Sequence, residues 1–255
     1  MVLCLVLGGC IELLPPGGLP AVPYATLPGE PAELRKLADD VFRKSRSAPD
    51  LVRARTALKK AEKIERDEFA NLWRLSRMDS LLARVDEPRA LAWATEGRKA
   101  GDAARQVRPG RPEGHLFFGI NTVMVARERA KDATELLNEA MTAGTVSNEK
   151  SSTYAKGEAR RLLGAIYIFA PAWPTGAGDL DEGVATFEGL VKEFPDEPIN
   201  VFYLAVAYRK AERKDDAIRL FRRVLRYPKK GLWRLEGAPF RTQAAQALSE
   251  LRRGP

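Results

Sequence analysis

Between Arg160 and Pro228 the chain twice repeats one arrangement of large and small apolar positions. The second pass reads Val201-x2-Leu204-Ala205-x2-Tyr208, then Ala217-x3-Phe221, then Pro228. The first reads Arg160-x2-Leu163-Gly164-x2-Tyr167, then Gly183-x3-Phe187, then Pro195. Residues three and four apart share a helix face, so this spacing puts a knob and a dent side by side. The small residue of the following helix, Ala217 or Gly183, fits the dent, and the phenylalanine fills the gap beside it. Each pass therefore predicts two helices packed as a hairpin. One hairpin cannot bury its apolar face alone, so the pattern demands neighbours.

This order and spacing resembles the tetratricopeptide repeat (TPR). The resemblance implies an all-α fold, a right-handed superhelical stack of TPR-like helical hairpins. The two passes differ in length. Tyr167 and Tyr208 are 41 positions apart, against a usual repeat of roughly 34. The excess lies in Phe169–Asp179, between the two helices of the first pass. Pro171 and Pro174 stop the first helix, and Gly176 and Gly178 let the chain turn. Asp179 is placed to cap the next helix, with Glu182 as its reciprocal partner. Inserted loops on repeat proteins lie on one face, often the binding face.

Helical periodicity starts near Glu33 and continues almost to the end. Glu33–Arg46 and Asp50–Glu65 make a first hairpin, joined at Pro49, and Asp67–Ala83 and Pro88–Gln106 a second. Arg108–Pro112 is a linker. Glu113–Ala126 and Lys131–Met141 make a third, with Phe118-Gly119 in the large–small role, and Thr142–Ser152 reads as a polar loop. The two recognised hairpins follow, and residues after Gly237 form a capping helix. No stretch alternates with period two, so strands are not expected.

The N-terminus has a different character. Leu7-Gly8-Gly9-Cys10 ends an apolar run and resembles the lipobox of bacterial lipoproteins. That resemblance implies cleavage before Cys10 and lipidation of Cys10; the alternative is a short apolar tail. Residues 11–32 hold Pro15, Pro16, Pro20, Pro23, Pro28 and Pro31 with Gly17 and Gly18, a composition suited to a tether. The expected organisation is a signal with lipobox over 1–10, a tether over 11–32, and one helical domain over 33–255. That domain comprises about five hairpins and the cap.

Charge and composition narrow the chemistry. The net charge is +8, and eleven Lys/Arg against three Asp/Glu fall between Arg209 and Arg234, leaving the rest balanced. This basic patch includes Arg209, Lys210, Arg213, Arg222, Arg223 and Arg226. It is either a solvated face or a surface for an acidic protein, anionic lipid or nucleic acid. Phe221, Tyr227 and Trp233 are interleaved with the charge, as base stacking requires. The two cysteines, Cys4 and Cys10, are both N-terminal, and His115 is the single histidine. No disulfide framework, Cys-based metal site or multi-His site is available to the body. No motif sets a serine or cysteine nucleophile beside His115. No catalytic residue, metal or other cofactor is therefore assigned.

A second resemblance covers about Pro112 to Pro228. Pro112-Glu-Gly-His115 with Phe118-Gly119-Ile-Asn121, and Leu163-Gly-Ala-Ile-Tyr167 with Ala170-Pro-Ala-Trp-Pro-Thr-Gly-Ala-Gly-Asp179, are similar to the T-component (TatT-type) lipoproteins of TRAP transporters. It implies a periplasmic, lipid-anchored protein working beside a solute-binding protein, with a hydrophobic ligand and a homo-oligomeric state among its options. On this reading His115, Phe118, Asn121, Tyr167, Trp173 and Pro174 are ligand- or partner-binding candidates. Each has a structural alternative. His115 sits where a helix starts, Asn121 has a carbonyl within reach, Trp173 can hold its own loop, and Phe118 and Tyr167 have core spacing. The expected function is a non-enzymatic, lipid-anchored periplasmic scaffold. The alternative is a polyanion- or nucleic-acid-binding protein acting through Arg209–Arg234, cytoplasmic if the lipobox reading fails.

Overall fold

The computed structural model describes residues 22–66, 68–172 and 175–253. Cys10, with the rest of the lipobox, and Trp173 and Pro174 of the inserted loop lie outside these residues. Within them the chain is all-α, built of TPR-like helical hairpins, and the sole β-feature is an isolated bridge between Ala172 and Gly178. The helices gather into two compact units that divide at Ser151 and Ser152.

The first unit holds α1 (Pro31–Lys44), α2 (Ala48–Ile64), α3 (Phe69–Val85), α4 (Ala90–Val107), α5 (Pro112–Glu128) and α6 (Ala133–Lys150). Successive helices pack as antiparallel neighbours, and α3 also meets α5. Proline marks the starts. Pro31 and Pro112 are first residues of α1 and α5, where the missing N–H has no helical partner to lose. At α2, Pro49 follows Ala48, and Ser47 Oγ accepts the Asp50 N–H at 3.3 Å. Pro88 does not open α4; it lies in a 3-10 turn, Glu87–Arg89, one turn ahead of it.

Leu51, Ala54, Leu58, Leu75, Met78 and Leu82 form the first core, between α2 and α3. From Val22 the segment expected to act as a tether lies on α2. Leu27 is buried with Leu34, Ala57 and Ala61, and Lys60 Nζ donates to the carbonyls of Tyr24 and Leu27.

α5 is largely apolar with no distinct polar face and is buried from Pro112 to Ala126, as expected of a helix enclosed by others. Two glycines let α4 come close. A Cβ at Gly101 would lie 2.7 Å from Phe118 N, and one at Gly97 would collide with the Asn121 amide. α6 is longer than its sequence suggests. The segment 142–152, expected as a loop, continues the helix to Lys150. Ala143, Gly144 and Ser147 face inward there, and Ser147 Oγ donates to Pro112 O at 3.0 Å. Small residues packed closely hold this end, where a stripe of large apolar residues is missing.

The second unit holds α7 (Glu158–Phe169), α8 (Leu180–Glu193), α9 (Pro198–Lys210), α10 (Lys214–Arg226) and α11 (Gly231–Arg253). α7 with α8 and α9 with α10 are the two hairpins read from the repeat, and α11 packs on both α9 and α10. The predicted contacts form. A Cβ at Gly164 would lie 2.7 Å from the Phe187 ring, and Ala217, Phe221, Val201, Leu204, Ala205 and Tyr208 are all buried in one core. Asp179 caps α8 by accepting the Glu182 N–H at 3.0 Å, but the reciprocal bond is absent because the Asp179 N–H donates to Tyr167 O. α11 starts at Gly231, seven residues before the expected start at Ala238, and runs through Pro239. Trp233 and Phe240 stack across that stretch with centroids 5.9 Å apart.

Candidate functional site

The residues nominated from sequence fall into three groups. His115, Phe118 and Asn121 share α5 and are buried with it. His115 Nε2 lies 3.0 Å from Pro109 O, so this nitrogen carries the proton and donates to a carbonyl just before the helix. Its position at a helix start suggests bonding to free N–H groups; the geometry has it donating to a carbonyl instead. Asn121 Nδ2 serves three acceptors with its two hydrogens, Phe117 O (2.8 Å), Ser76 O (2.9 Å) and Ser76 Oγ (3.1 Å), one hydrogen being shared, while Ser76 Oγ donates to Gly97 O (2.7 Å). One amide thus ties α3, α4 and α5. The Phe118 ring lies under the guanidinium of Arg105 at 3.9 Å. These three side chains are buried, and His115 Nδ1 and Asn121 Oδ1 have no hydrogen-bond partner among the described residues.

Tyr167 belongs to α7 in the other unit and is half-buried. Burial, then the charges of Glu182 and Asp179, raise its hydroxyl pKa. Tyr208, one hairpin on, is pushed up to about 12 by burial and by its bond to Glu188 Oε1 at 2.7 Å. Both phenols are therefore neutral donors near neutral pH.

The basic patch divides sharply. Arg209 pairs with Glu250 at 2.8 Å, and Arg213 pairs with Asp216 and Glu188 while stacking over Tyr208. Lys210 sits over the Phe169 ring at 5.2 Å, and Arg223 donates to Pro195 O. Arg222 and Arg226, with Lys229, Lys230 and Arg234 beyond them, are exposed and pair with no carboxylate among the described residues. Two of the exposed large apolar residues lie in this stretch, Leu225 at 38% and Leu232 at 40%. The aromatics are not available for stacking. Phe221 and Trp233 are buried, and the Tyr227 hydroxyl donates to Pro195 O at 2.7 Å.

Beside these cations, α10 and α11 leave a shallow groove lined by Leu225, Ala245, Leu248, Ser249 and Arg252. Sequence reasoning missed it. Leu225 reads as one more apolar residue of a hairpin helix, and Ala245 and Ser249 lie on the outer side of the predicted cap.

The first unit carries a separate polar cluster that sequence reasoning also missed. Arg74 clamps Asp39 through Nε and Nη2, and Arg77 Nη2 adds a bond at 2.6 Å. Burial works to raise the Asp39 pKa, but the two guanidiniums outweigh it and the net shift is downward. Asp79, wholly buried, shows the reverse. Burial raises its pKa to about 6 despite the Arg55 guanidinium at 2.5 Å. Arg55 also stacks on Trp93 at 4.9 Å. The first cluster joins α1 to α3, and the second joins α2 to α3. Among the described residues no group of His, Cys, Asp and Glu is placed to hold a metal ion, and no helix is long and apolar enough to cross a membrane.

Comparison with known proteins bears on the same region. A family model described as tetratricopeptide repeat matches residues 201–229, which cover most of α9 and all of α10. A solved structure of a thermophilic TPR protein from Thermus thermophilus is similar, with a TM-score of 0.66 at 18% identity, covering 86% of this chain and 100% of that one. At this identity the likeness speaks to the fold alone. No curated protein matches the chain.

Proposed function

We propose that this chain is a non-enzymatic scaffold, lipid-anchored through Cys10 on the periplasmic face of a bacterial membrane, that holds another envelope protein. The observation that carries the protein-binding part is the tetratricopeptide hairpin α9–α10, matched over residues 201–229, whose outer face carries Arg222 and Arg226 with no carboxylate partner among the described residues. Helical-repeat stacks offer broad, rigid surfaces for protein partners. Charges left unsatisfied within a fold are available to steer a partner of opposite sign. The anchoring part rests on Leu7-Gly8-Gly9-Cys10 and the prolines that follow. The similarity of residues 112–228 to TRAP T-components favours a periplasmic solute-binding protein as the partner, with a hydrophobic ligand and self-association as further properties of that family.

The test is metabolic labelling with a radiolabelled fatty acid in cells expressing the full chain or Cys10→Ala. Label in the first and none in the second supports the anchor; no label in either removes it. Crosslinking in the same cells then asks for a protein partner, and a chain that crosslinks to none loses the scaffold role.

The polyanion reading keeps its free cations but loses its stacking platform, since Phe221, Trp233 and Tyr227 are all engaged. If it holds, binding to heparin or single-stranded DNA falls steeply with salt, and a protein contact in a groove falls much less.

A further inference from the structure

α11 ends the described chain as a single helix lying on the last hairpin. Its inner face, Ala244, Ala247 and Leu248, is buried in the core it shares with α9 and α10. Its neighbouring face carries Ala245, Ser249 and Arg252 at intervals of four and three, so they form one row along the helix. Small residues at Ala245 and Ser249 let another helix backbone come close. Across from this row stands Leu225 of α10, and Leu248 forms the floor between them. Arg222 and Arg226, four apart, share one exposed face of α10 beside Leu225.

Two carboxylates of α10 and α11 are already occupied. Asp216 bonds Arg213 and Arg219, and Glu250 bonds Arg209 and Gln246. Asp215, at the start of α10, is ten residues from Leu225, about 15 Å along the helix. Arg252 lines the groove, and Arg222 and Arg226 add exposed positive charge on the adjoining face of α10.

We propose that this groove between α10 and α11 docks an amphipathic helix of a partner protein, with leucine-like residues along one face and Asp or Glu flanking it. The proposal rests on the scaffold reading above and names the chemistry of the partner. The occupant's apolar stripe covers Leu225 and Leu248, its backbone approaches Ala245 and Ser249, and its carboxylates meet the three arginines. This is a helix-in-groove mode, read by anchors at i, i+3, i+4 and i+7.

The test uses the full chain and a synthetic helical peptide of about 18 residues, with leucines on one face and glutamates beside them. A counterpart carries lysine for glutamate. Fluorescence anisotropy is expected to show binding of the glutamate peptide and not of the lysine peptide. The pair Arg222→Glu with Arg226→Glu should weaken binding about tenfold or more. Ala245→Trp, which fills the groove, should do the same. All three positions are exposed, and circular dichroism checks that each variant keeps its helices. Equal binding of both peptides, or wild-type affinity in the folded Ala245→Trp variant, overturns the proposal.

Two other occupants have their own readouts. Phosphatidylglycerol vesicles that bind through the arginines while the peptide does not make the face a membrane contact. A dimer in sedimentation that Ala245→Trp dissolves makes the occupant a second copy. Either result overturns the proposal. Crosslinking in the envelope separates this failure from failure of the scaffold reading. A protein crosslink that survives Ala245→Trp keeps the scaffold and removes the groove. Groove-dependent peptide binding without any envelope crosslink keeps the groove and removes the scaffold.

Discussion

At the scale of single residues, the polar groups inside this protein act as joints. The two hydrogens of the Asn121 amide serve three acceptors, two of them on Ser76, so one hydrogen is shared. Replacing it with alanine leaves buried acceptors unpaired and opens a hole, so Asn121→Ala should cost on the order of 2–3 kcal/mol. A urea midpoint unchanged from wild type would refute this role. Asp79 gives a pH signature. Its folded pKa, about 6, lies above the unfolded value of 3.8, so its contribution is fully present below pH 4 and is lost as pH rises through 6. Asp79→Asn should remove that slope. Relative to the variant, wild type should lose at most about 3 kcal/mol between pH 4 and pH 7. Thermal melts of both proteins across that range check the sign. Asn121 is visible in the sequence as a polar residue in an apolar helix. Its partner lies 45 positions upstream, and no local pattern points there. The arginines are similar: Arg209 finds Glu250, 41 positions on, and Arg213 finds Glu188, 25 back. A sequence displays the charges; only the fold shows which remain free.

At the scale of elements, helix–helix distance is set by what is missing at the contact. Gly101 faces the α5 backbone, where no side chain can move aside, so Gly101→Ala should force α4 from α5 at a cost of about 2–4 kcal/mol. Gly189 on α8 faces open space. Gly189→Ala should stabilise by roughly 0.5–1 kcal/mol through helix propensity alone. Opposite signs from one chemical change, read as urea midpoints, test the packing. The hairpins α7–α8 and α9–α10 are legible because large–small pairs at helical spacing leave few alternatives. The end of α6 and the start of α11 are not. Ala143, Gly144 and Ser147 make contacts that polarity patterns do not register, and Pro239 is tolerated in the interior of α11, where its sequence position suggests a start.

At the scale of the molecule, each unit has its own interior. The core of the second is drawn wholly from α7 to α11. Residues 152–255 expressed alone should therefore fold, with helical circular dichroism and a cooperative melt; a featureless, non-cooperative signal would show that the unit depends on the rest. Each unit also encloses one largely apolar helix with no distinct polar face, α5 in the first and α9 in the second. This architecture has a consequence during synthesis. Part of the wall around α5 is α6, and the walls around α9 include α10 and α11, all of which lie downstream. At 5–20 residues per second, roughly one to four seconds separate the completion of α5 from that of α6. In that interval a growing chain displays a helix with no polar side to turn outward. Ribosome-bound intermediates stalled there are the natural clients for a chaperone, and a stop codon just after α5 would yield an insoluble product rather than a shorter scaffold.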